Sequence, residues 1–119
     1  MDFKKENLKR QDYYAMKKED YNSGYTPSEK GVLIVSKFYN KSNPKEFWVK
    51  VYGGDYLTKA LDKLTFLRIY LEIVCEVLRI YLEIVCEEGF VICDSKKKIF
   101  SVKQVMSMIE KAQEVEYGS

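Results

Sequence analysis

The chain has 119 residues, enough for one domain with a modest core, and its 20 basic and 18 acidic side chains leave a net charge of +2. So small an excess does not point to a polyanionic partner; only local clustering of lysines can. With no histidine, and three cysteines that form no Cys-x-x-Cys pair, no metal site, no cofactor and no Ser-His or Cys-His catalytic set is expected.

Met1-Asp-Phe-Lys-Lys5 is polar, so no secretory leader is expected, and the unpaired thiols suit a reduced, cytoplasmic setting. Residues 1–24 mix Lys4, Lys5, Lys9, Arg10, Lys17 and Lys18 with Asp2, Glu6, Asp12, Glu19 and Asp20. They read as a polar, partly disordered arm with a solvated surface. Tyr25-Thr-Pro-Ser-Glu-Lys30 then carries a helix start: Thr26 as cap, Pro27 in the first turn and Glu29 three residues after the cap. The β-branched run at 32–35 favours a strand on propensity. The cap is given precedence here and predicts a helix through about Tyr39.

Asn40-Lys-Ser-Asn-Pro44 is a turn, and Phe47-Trp-Val-Lys-Val-Tyr52 a short strand closed by Gly53-Gly54. Asp55 caps a predicted helix from Tyr56 to about Leu61. After a break, Thr65 caps a third helix. Within that helix Leu67-Arg-Ile-Tyr-Leu-Glu-Ile-Val-Cys-Glu76 recurs unchanged as Leu78-Arg-Ile-Tyr-Leu-Glu-Ile-Val-Cys-Glu87, separated by Val77 alone. The tandem duplication has a period of 11 residues. Eleven residues of helix overshoot three turns by only ~20°, so both copies keep their faces. In a strand the odd period would invert the faces between copies, so helix is the better reading.

Gly89 is placed as the left-handed cap ending the helix. Phe90-Val-Ile-Cys93 is a strand, Asp94-Ser-Lys-Lys-Lys98 a turn, and Ile99-Phe100 the start of a returning strand. Ser101 caps a last helix through about Val115, and residues 116–119 form a flexible tail.

Helix, short strand, helix, turn, helix, basic hairpin, helix resembles the winged helix-turn-helix family, as found in bacterial replication and plasmid proteins. Thr26-Pro-Ser-Glu-Lys30, Asp55-Tyr-Leu-Thr-Lys-Ala-Leu61 and Glu87-Glu-Gly-Phe-Val-Ile92 carry the resemblance. It implies an α+β, mainly α domain over 25–115, with a long third helix and a two-stranded wing. It also implies a non-enzymatic protein that binds double-stranded DNA. The expected contacts are Lys96, Lys97 and Lys98 on the wing, extended by Lys59, Lys63, Thr65 and Arg68, with Lys37 and Lys41 able to widen the surface. Glu72, Glu76, Glu83 and Glu87 would repel phosphates, which moves the expected contact from the third helix to the wing.

The duplicated helix is apolar around most of its circumference, and its charges disfavour membrane insertion. Three inserted turns either loop one copy out into water or carry Gly89 and everything after it ~16 Å from its packing site. A second chain repairs the latter, so Leu67, Tyr70, Leu71, Val74, Leu78, Tyr81, Leu82 and Val85 are expected to form a symmetric dimer interface, with exchange of the C-terminal parts. The alternative function is a homo-oligomeric assembly module that does not bind DNA.

Overall fold

The computed structural model describes residues 8–52 and 71–118. The polar arm is a strand: β1 (Leu8–Lys17) pairs antiparallel with β2 (Val32–Asn40) on one side and with β4 (Phe90–Asp94) on the other. Its alternation is masked by charge, but Tyr13 and Ala15 turn to one face, and Met16, with none of its surface in water, turns to the other. Burial on both faces outweighs the low strand propensity of its lysines, aspartate and alanine.

The Thr26 cap forms as read, its amide donating to Glu29 Oε2 at 2.9 Å. The helix it starts, α2 (Pro27–Lys30), lasts four residues, and a five-residue α1 (Lys18–Asn22) precedes it. Gly31 marks the break. A Cβ there would stand 2.5 Å from the Pro27 carbonyl oxygen and 3.1 Å from Tyr14 Cβ, so only glycine lets α2 lie this close to β1. The β-branched run beyond it is β2, so propensity prevails over the cap from Val32 onward. The pairing with β1 shifts register at Tyr13/Tyr14, where Ile34 is the extra residue, and both Ile34 and Val35 are buried in the core.

β3 (Phe47–Tyr52) is the expected strand, antiparallel to β2. The second copy of the duplication and part of the first lie in α3 (Leu71–Glu87), which ends at Gly89 with φ +93°. β4 and β5 (Ile99–Phe100) form the hairpin expected there, and Ser101 caps α4 (Val102–Glu110), its Oγ accepting from the Gln104 amide at 3.1 Å. The last predicted helix stops early: β6 (Glu114–Gly118) runs parallel to β3.

The strand order is β5-β4-β1-β2-β3-β6 in one mixed sheet. This overturns the winged-helix expectation and the mainly α class. The arm and the first predicted helix are strands, and the supposed wing is no free ribbon, because β4 is hydrogen-bonded into the sheet. No long third helix is shown. The second predicted helix, the caps at Asp55 and Thr65, and Lys59, Lys63, Leu67, Arg68 and Tyr70 lie outside the described residues.

α3 and α4 pack on the face that carries Tyr13, Ala15, Val35, Val49 and Ile92. From α3 come Cys75, Leu78 and Leu82, spaced three and four apart. The polar stripe faces outward, with Arg79 paired to Glu76 and, at 2.6 Å, to Glu83. The other face is covered in part by α1 and α2, over Met16 and Cys93. No helix among the described residues is long and apolar enough to cross a membrane.

Leu82 and Ile84 come from the same repeat yet differ fully in environment, 0% against 48% exposed. Leu82→Ala is expected to cost about 2–5 kcal/mol, and Ile84→Ala no more than ~0.5, in urea denaturation. Equal losses from both substitutions would contradict this packing.

Candidate functional site: a lysine-lined cleft

The hairpin tip holds the densest lysine run, but its backbone and one ammonium are engaged internally. Asp94 is buried, and its Oδ1 accepts from the Lys96 and Lys98 amides at 3.0 and 2.9 Å. The turn sets Lys97 at φ +68°, a left-handed conformation. Lys97 Nζ donates to the Tyr21 carbonyl at 2.8 Å and stands 4.4 Å from that ring's centre, while the Tyr21 hydroxyl donates to the Lys97 carbonyl at 2.7 Å. Lys98 Nζ lies 5.3 Å from the Phe100 ring. Of the three, Lys97 serves mainly to lock the tip onto α1.

Lysines converge instead at the opposite side of the sheet. Val105 and Ile109 anchor α4 to the core, which turns Lys103, Ser107 and Lys111 outward at four-residue spacing. Lys37 rises from β2 to meet them, and Phe47 and Met108 complete a cleft of about 440 Å³ that Gln104 also lines. No carboxylate is among the described residues that line it. For a chain of net charge +2, three lysines on one cleft concentrate the positive charge.

Lys37 differs from an ordinary surface lysine. Its Nζ lies 4.4 Å from the Phe47 ring centre and 5.6 Å from that of Tyr39. Burial pushes its pKa below the usual lysine value, since the apolar walls solvate the ammonium poorly. The rings favour the charged form, but desolvation wins. The sequence named Lys37 only as an extension of a wing surface. Lys103 and Lys111 carry no signal in composition, and their helical spacing is legible once α4 is assigned.

The far face carries a polar and aromatic ladder that the sequence did not reveal. Phe38 and Trp48 stack at 4.3 Å with planes 14° apart, and the Arg10 guanidinium lies 5.4 Å from the Phe38 ring. Arg10 Nε donates to Asp12 Oδ1 at 2.8 Å, and fully buried Ser36 donates to the same oxygen at 2.6 Å. Both faces of the Phe38 ring are thus occupied within the protein.

Of the residues expected to pair two chains, Leu78 and Leu82 are in this chain's own core, and Tyr81 and Val85 are partly buried against it. The side chains of Leu71 and Val74 lie outside the described residues, as does Thr65 of the expected DNA contacts. Among the described residues no group of three or more Cys, Asp or Glu could hold a metal ion.

Asp94 holds the tip by accepting two amides from a buried position. Asp94→Ala should cost about 1–3 kcal/mol. It should also speed amide exchange at Lys96 and Lys98 measured by hydrogen–deuterium exchange; unchanged exchange at both would refute the role given to Asp94. No family model, no curated protein and no solved structure matches this chain.

Proposed function

We propose that the protein binds nucleic acid, duplex DNA in the first instance, through phosphate contacts at the β2–α4 cleft, as a cytoplasmic binding protein rather than an enzyme. The observation that carries this reading is the convergence of Lys37, Lys103 and Lys111 with no carboxylate among the described residues that line the cleft. Lysine ammonium groups neutralise phosphates without reading base edges, so the binding is largely independent of sequence and sensitive to salt. Lys41 and Lys45, exposed in the loop between β2 and β3, add positive charge near Phe47 in the chain. The three free thiols agree with a reducing compartment.

Fluorescence anisotropy with mixed-sequence duplex DNA at two salt concentrations tests the proposal. Replacing Lys37, Lys103 and Lys111 with Ala should weaken binding and lower the salt slope by roughly two to three units. Replacing Lys96, Lys97 and Lys98 with Ala should have the smaller effect, because Lys97 is tied to Tyr21. No binding by the native protein, or a larger loss from the hairpin variant, would overturn it.

A second reading is self-association. It draws on exposed Ile84 and Val32, which flank an apolar hollow of about 490 Å³ beside Tyr81 and Phe90. Light scattering well above micromolar concentration should then give a dimer that Ile84→Glu converts to monomer. A native monomer under those conditions would refute it.

A further inference from the structure

The Lys37 amine is placed unlike a solvated lysine. It is half-buried on β2 and flanked by the Phe47 and Tyr39 rings, and it opens on a cleft large enough for a small molecule. Lys103 and Lys111 stand across that cleft on α4, and Gln104 and Ser107 bring polar side chains to the same wall. Gln104 Oε1 is taken by the Ser101 amide at 2.8 Å, which turns that oxygen away as an acceptor. What the cleft offers a ligand is one shielded amine, two cations and an apolar floor.

We infer that Lys37 is a nucleophilic amine and that the cleft takes a small anionic aldehyde, its carboxylate or phosphate held by Lys103 and Lys111 and its carbonyl joined to Lys37 as an imine. The step balances without a further reagent. The Nζ lone pair attacks the carbonyl carbon, a proton moves from nitrogen to oxygen, and a carbinolamine forms. Its C–O bond then breaks as the remaining N–H proton passes to the oxygen, a C=N bond forms, and the oxygen leaves as water. Nothing is oxidised or reduced.

Two features of the site favour this step. An amine reacts only in its neutral form, and burial raises the neutral fraction of Lys37. The rings beside it are Phe47 from β3 and Tyr39 on its own strand, Gln11 is paired beside it on β1, and Lys103 and Lys111 of α4 line the same cleft. Among these described neighbours none is a carboxylate that would hold the proton. The anionic end of the ligand meets Lys103 and Lys111, which positions the carbonyl at Nζ and raises its local concentration. The inference concerns the amine and a small ligand, so it stands whether or not the cleft also binds nucleic acid.

Glyoxylate with sodium cyanoborohydride is the probe. The reductant traps each imine as a stable carboxymethyl-lysine, which mass spectrometry maps after digestion. At neutral pH and short exposure, Lys37 should be modified several-fold ahead of Lys9, Lys41 and Lys96. Propionaldehyde, uncharged, should show much less preference for Lys37. In Lys103→Gln/Lys111→Gln, whose changes are on the outward side of α4, the glyoxylate preference should fall to that of propionaldehyde. Modification of Lys37 no faster than Lys96 would overturn the inference. So would an unchanged preference for glyoxylate in the double variant.

Discussion

Strand β1 is hydrogen-bonded along both edges, and the rest of the molecule depends on that. A strand in this position must bury side chains on two faces, which Tyr13 and Ala15 do beneath the helices and Met16 does beneath α2. It also sets the register of its neighbours. The bulge opposite Tyr13/Tyr14 puts Ile34 and Val35 together on the core side, close behind the end of α2. Gly31 sits at that crossing. The lysine cleft is downstream of the same constraint: β2 presents Lys37 to the helical face because its partner β1 presents Gln11 there.

What could be read from the sequence is what a few neighbouring residues decide. The Thr26 and Ser101 caps, the turn after Asp94, the left-handed Gly89 and the strand at Phe47–Tyr52 each depend on chemistry within about five positions, and each forms. The strands β1, β2 and β6 depend on partners far along the chain. β1 is polar in composition in part because outward positions meet polar neighbours, as Arg10 and Asp12 meet Ser36. A capping box fixes where a helix starts and says nothing of where it stops; Gly31 and four β-branched or leucine residues ended this one after four residues. With the arm and first helix misassigned, the resemblance in element order to a winged helix could not survive.

The site was legible in parts. Local density of lysine led to the hairpin tip, yet density does not report what an ammonium is bonded to, and Tyr21 reaches Lys97 from 76 residues away. Lys37 is one lysine in a strand, unremarkable by composition. Its character comes from Phe47 on one neighbour and from α4 overhead, which only the fold brings together. The outward stripe of Lys103 and Lys111 follows from the helical period alone, opposite α4's apolar positions.

The duplication leaves a degeneracy in the helix. Sliding α3 by 11 residues, ~16 Å along its axis, would offer the sheet Leu67 and Leu71 in place of Leu78 and Leu82, with the face turned by only ~20°. Leu78 and Leu82 would be exchanged for identical residues, and of the three buried α3 positions among the described residues only Cys75, which Leu64 would replace, tells the registers apart. The choice is made at the helix exit. Gly89 takes the left-handed turn, and its carbonyl accepts from the Lys18 amide at 2.9 Å, tying the second copy to the end of β1. A duplicated helix thus takes its register from the turn and the β4–β1 pairing that follow it as well as from the hydrophobic surface it buries.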